Sequence, residues 1–175
     1  MLDGKNINVE KTEDKNWLND IYRSLKLNYP KFFKMDNLSK AGFLASELIF
    51  KNINIDNEQI HKDIAIILFN SVSSLDDDII YQQSISEKDN FFPSPAVFVY
   101  TLANIVNGEI AIRNKIQAET AFYIIEKYSE QHIETAIKDV FCNPMINSAL
   151  CGWINVLKEE TDVHFMYFEK QEKLI

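Results

Sequence analysis

Apolar residues recur at helical spacing from Trp17 through Leu18, Ile21, Tyr22 and Leu25, until Pro30 stops the run. A second, amphipathic helix is predicted over 34–52, "KMDNLSKAGFLASELIFKN", with Asp36 as its N-cap and a stripe of Leu38, Leu44, Leu48 and Ile49. The pattern then changes. "DIAIILFN" (63–70) is almost wholly apolar and rich in isoleucine, the mark of a short strand covered on both faces. A short helix follows over 73–85, with Ser74 and Asp77 at capping-box spacing and Asp76, Asp77 and Asp78 in its positive first turn.

The stretch "FFPSPAVFVYTLANIVNGEIAIRNK" (91–115) reads as one further helix beginning at Pro95. It carries a stripe of small or polar residues, Thr101, Asn104, Gly108 and Ala111. A glycine inside a helix costs about 1 kcal/mol relative to alanine, a cost usually offset by the close approach of another backbone. Asn104, if buried on that face, needs hydrogen-bond partners. "TAFYIIEK" (120–127) is the next strand. "SEQHIETAIKDVF" (129–141) is a helix with Ile133, Ile137 and Val140 as its buried stripe, and "NSALCGWINVLK" (147–158) and "DVHFMYFEK" (162–170) close the chain as two strands around a tight polar turn. Residues 1–16 are polar and charged, read as a short strand over 6–10 or as disordered. Buried strands alternating with helices predict an α/β fold with a largely parallel sheet, in a single domain over 1–175.

Charge and composition exclude several functions. Eighteen Lys and Arg against 26 Asp and Glu give a net charge of −8. That balance reads against nucleic acid and against an anionic membrane surface, both of which need a basic face. No apolar run approaches the roughly 20 residues of a membrane-spanning helix, and the N-terminus has no signal-peptide core. Cys142 and Cys151 have no metal-type spacing, so a cytoplasmic protein with reduced thiols is expected. No metal and no cofactor are expected: the glycines form no phosphate-cradling loop, and the three aspartates lack further ligands. His61, His132 and His164 stand in no catalytic spacing, and Cys151 reads as a core thiol.

Three segments in order, "YPKFFKMDNLSKAGFLASELI", "IAIILFNSVSSLDDDIIYQQSI" and "PSPAVFVYTLANIVNGEIAIRNK", resemble the N-terminal half of a β-ketoacyl synthase. The similarity is closest to the ketosynthase-like proteins of aryl-polyene and flexirubin-type pathways and spans roughly residues 29–157. It implies one half of a thiolase-like fold, a mixed and mostly parallel sheet of about five strands packed against helices. It also implies that the helix carrying Asn104 and Gly108 packs under the catalytic loop, with Gly108 allowing close approach and Asn104 bracing the loop.

The same resemblance makes the departures informative. In the family a cysteine at a helix start is the nucleophile, its pKa lowered by the helix dipole. Here that place falls near Lys127, in a segment with neither cysteine nor glycine, and the family's two histidines, carried by a C-terminal half, have no counterpart. A lysine cannot form the acyl thioester that the condensation proceeds through. The resemblance therefore implies a non-catalytic subunit of fatty-acid, polyketide or aryl-polyene biosynthesis, in the manner of a chain-length factor. Its partner would be a second copy or a ketosynthase-like subunit. In the resembled fold the strand before the nucleophile lies at the sheet edge and pairs across the dimer, which selects Phe122, Tyr123, Ile124 and Ile125 here.

Two other functions compete with this one. The first is a stand-alone binder of an acyl chain or an acyl-carrier protein, against which the acidic balance speaks, since carrier proteins are themselves acidic. The second is unrelated chemistry around Glu126, Lys127 and His132, for which polar residues ending a strand are the simpler account.

Overall fold

The computed structural model describes residues 17–86, 88 and 92–171; the strand expected at 6–10 lies outside them. Helix α1 (Trp17–Ser24) is followed by a 3-10 turn (Pro30–Lys34), where Pro30 occupies a helix-start position that needs no N–H. Helix α2 (Asn37–Asn52) starts where expected, because both carboxylate oxygens of Asp36 accept from the Ser39 N–H and one also accepts from Leu38. Strand β1 (Ile64–Asn70) is buried at every residue. Helix α3 (Leu75–Ser84), strand β2 (Thr120–Ile124), helix α6 (Glu130–Val140), and strands β3 (Ser148–Leu157) and β4 (Glu160–Glu169) match the remaining expected elements.

One element differs. The helix expected over 95–115 is two helices, α4 (Pro95–Tyr100) and α5 (Ile105–Arg113). Thr101 turns its hydroxyl back onto the Phe98 carbonyl, and its own carbonyl is taken by the Ser74 hydroxyl at 2.6 Å. Both bonds draw the backbone away from the helical ladder. The capping box expected between Ser74 and Asp77 does not form: the Ser74 hydroxyl makes no capping bond and donates to Thr101, and the Asp77 carboxyl is turned to Asp36.

The sheet order is β2-β1-β3-β4, with β1 parallel to both neighbours and β4 antiparallel to β3. It is a mixed, mostly parallel sheet, with four strands among the described residues where about five were expected. Alternation along the strands splits the core into two layers. Ile64, Ile66, Leu68, Leu150, Ile154 and Val156 face α2 and α5, with α1 outside them. Ala65, Ile67, Phe69, Ala149, Cys151 and Trp153 face α6 through Ile133, Ile137 and Val140, the expected stripe.

Helix α2 is buried more widely than its expected stripe. Phe43, Ser46, Glu47 and Phe50 are buried, whereas Leu48 and Ile49 are only half-buried. It lies between the sheet and α1, so more than one face is covered. Its contact with α5 is close at Gly42, where an added Cβ would overlap Val106 Cγ2 and lie 3.1 Å from Ile154 Cδ1. Arg113 of α5 closes the same pair of helices with a two-pronged bond to Glu47, at 2.9 and 3.2 Å.

Candidate functional site

Among the described residues strand β2 borders the sheet on one side, and its backbone alternation decides what it offers. Ile66 donates to the Glu119 carbonyl and Ile125 donates to the Asn70 carbonyl. Odd-numbered residues of β2 therefore turn their peptide groups toward β1, while Phe122 and Ile124 turn theirs outward. Tyr123 and Ile124 are also exposed side chains, 48% and 58%. The strand is shorter than the expected 120–127, because Ile125 to Ser129 form the connection into α6.

Lys127 lies in that connection, exposed, before the first residue of α6, Glu130. Ser129 caps α6 by accepting from the His132 N–H, and the His132 ring bonds the same hydroxyl at 2.8 Å. Beside the connection lies a groove of about 530 Å³ with Phe69, Tyr123, Ile125 and Ala136 among its lining, rimmed by Gln131, His132, Thr135 and Asp139. The other histidines do structural work: His61 Nε2 bonds the Asp56 carbonyl at 2.8 Å, and His164 pairs with Asp162, which also accepts from the Trp153 indole. Cys151 is fully buried in β3, and loss of hydration pushes its thiol up to about 12, as a core thiol requires.

The two residues expected to support the loop are placed otherwise. Asn104 is exposed at the start of α5, and its side chain makes no capping bond. Gly108 permits no close approach: an added Cβ would meet no atom within 4 Å. The buried amide is Asn107. Its Nδ2 donates to the Ala121 carbonyl at 2.8 Å and to the Ile66 carbonyl at 3.4 Å, so it pins β2 to β1 from beneath the sheet. Starting α5 at Ile105 puts Val106, Asn107 and Ile110 on its buried face. A single continuous helix over 95–115 would place Asn104 rather than Asn107 on that face.

A second cluster of polar groups was not anticipated. Asp77 of α3 is 8% exposed and hydrogen-bonds the carboxyl of Asp36 at the start of α2. Burial first, then the charge of Asp36, pushes Asp77 up to about 8, so it is the protonated donor of the pair at neutral pH. Asp36 is itself raised by burial. In the first turn of α3, Asp76 accepts the Lys158 N–H at the turn between β3 and β4. Tyr100 donates to Glu109 at 3.2 Å, and Lys31 lies 2.7 Å from the other oxygen of that carboxylate. These bonds tie α3, α4 and the hairpin to the body of the fold. Among the described residues no group of His, Cys, Asp and Glu is arranged to hold a metal ion.

No family model matches the chain, and no curated protein matches it in sequence. Solved structures do share the fold. The ishigamide ketosynthase/chain length factor superposes with a TM-score of 0.60 at 12% identity, over 72% of this chain and 32% of its own. The ketosynthase (ApeO) in complex with its chain length factor (ApeC) from Xenorhabdus doucetiae superposes with a TM-score of 0.55 at 13% identity, over 75% and 50%. The chain thus spans between about a third and a half of the proteins it matches, and what it shares with them is the mixed α/β, thiolase-like architecture. No helix among the described residues is long and apolar enough to cross a membrane.

Proposed function

We propose that this chain is a non-catalytic, ketosynthase-like subunit that acts as a chain-length-factor-like partner in polyketide or aryl-polyene biosynthesis. The observation that carries the reading is the edge of β2, which no strand pairs among the described residues, where the peptide groups of Phe122 and Ile124 point outward and Tyr123 and Ile124 are exposed. An apolar strand edge of this kind invites a pairing strand. The structures sharing the fold support the choice of partner, since each is of a ketosynthase together with a chain length factor. The lack of catalysis is supported by the connection Ile125–Ser129, which offers an exposed lysine and no thiol where the family places its nucleophile.

The alternation of β2 dictates the test. Ile124→Pro removes an outward N–H and leaves the β1 ladder intact, whereas Tyr123→Pro removes an N–H that faces β1. With an aryl-polyene ketosynthase subunit as the partner, native mass spectrometry is expected to show a complex that Ile124→Pro abolishes while the fold persists. A monomer that ignores the ketosynthase would sink the proposal.

A further inference from the structure

The sequence of α4, Pro-Ala-Val-Phe-Val-Tyr, is apolar throughout, yet none of its residues is buried. Phe98 and Val99 are exposed, and Leu102 just beyond the helix is 53% exposed. Helix α3 packs beside it, with the rings of Tyr81 and Phe98 5.4 Å apart, and adds the exposed Leu75, Ile79 and Ile80. Scattered apolar residues on a surface need no explanation, but an entire apolar helix with its neighbour's apolar positions alongside does. The surface is also held firmly, by Ser74 on the Thr101 carbonyl and by Tyr100 on Glu109.

Charge indicates what covers it. Neither α3 nor α4 contains a lysine or arginine, while α3 contributes the exposed Asp78, one turn from Leu75 and beside Ile79, next to Asp76, whose carboxylate also accepts the Lys158 N–H. A second copy of this chain would bring the same acidic rim, and a further charge of −8, against it. We infer that the α3–α4 surface docks an amphipathic helix of a different protein, with an apolar stripe for Phe98, Val99, Leu102 and Ile79 and basic residues for the aspartate rim. Packing an apolar helical stripe onto such a face is a general mode of recognition. The surface is distinct from the β2 edge, so either can fail without the other.

The test uses two designed helical peptides of about 18 residues, each with one Leu/Phe stripe and with a polar face of either lysine or glutamate. Binding to the full chain is followed by fluorescence anisotropy. The lysine peptide is expected to bind at least about tenfold more tightly than the glutamate peptide, and more weakly as salt rises. Val99→Asp and Leu102→Asp, both exposed positions, are expected to weaken it about tenfold or more, as is Asp78→Lys, with the circular dichroism spectrum unchanged. Ile124→Pro, on the other surface, is expected to leave it unaltered. Equal binding of both peptides, or binding indifferent to Val99→Asp and Leu102→Asp, overturns the inference. So does self-association in sedimentation velocity that Val99→Asp abolishes.

Discussion

The pair formed by Asp77 and Asp36 makes stability depend on pH in a way that can be worked out in advance. The ordinary value for Asp77 is 3.8, and burial and the neighbouring Asp36 carboxyl bring it to about 8 in the folded chain. Between those values the folded protein holds a proton that the unfolded chain has lost. Stability is therefore greatest on the acid side and falls as pH rises toward 8, after which this contribution is constant. The slope for one proton is about 1.4 kcal/mol per pH unit. Between about pH 6 and about pH 8 the loss from this site is about 2 kcal/mol, without a large correction for solvent, since Asp77 is 8% exposed. Asp77→Asn isolates the effect, because the amide N–H can donate to Asp36 as the acid O–H does. In urea titrations across that range the wild type is expected to lose about 2 kcal/mol more than Asp77→Asn, a shift in midpoint of roughly 1 M. Parallel curves for the two proteins would refute the buried acid pair.

The glycines separate close contact from open space: Gly108→Ala is expected to stabilise by about 0.5–1 kcal/mol in thermal melts. Gly152→Ala is expected to cost about 3 kcal/mol or more, because its Cβ would run into the His164 carbonyl and lie 2.8 Å from Phe165 Cα across β3 and β4. Asn107→Ala is expected to cost about 1–3 kcal/mol and to speed hydrogen exchange at the β1–β2 amides, whereas Asn104→Ala should change neither.

The architecture could be read in the sequence because its signals are local. The unbroken apolar run of Ile64–Asn70 marks a covered strand, Asp36 and Ser129 mark helix starts, and Ile133, Ile137 and Val140 mark the face of α6. What could not be read rests on contacts between distant segments. Thr101 ends α4 because Ser74, far away in sequence, takes its carbonyl, and without that contact the stretch 95–113 reads as one helix. Read as one helix, the stretch puts Asn104 and Gly108 on its buried face, whereas α5 buries Asn107 and leaves Gly108 in open space; the close-packed glycines, Gly42 and Gly152, lie in other elements. Asp77 likewise looks like helix-start electrostatics until α3 is laid against the start of α2. Among the described residues β2, with Phe122, Tyr123 and Ile124, lies at the sheet edge, and Ile125 falls beyond its end; a pairing partner there is the proposal.

That proposal is tested most directly by mixing the full chain with an aryl-polyene ketosynthase subunit and weighing the products by native mass spectrometry, for the wild type and for Ile124→Pro. A one-to-one complex is expected for the wild type and separate subunits for the proline variant, with Lys127→Ala still pairing. A wild-type chain that stays monomeric beside the ketosynthase, or a complex that survives Ile124→Pro, would contradict it.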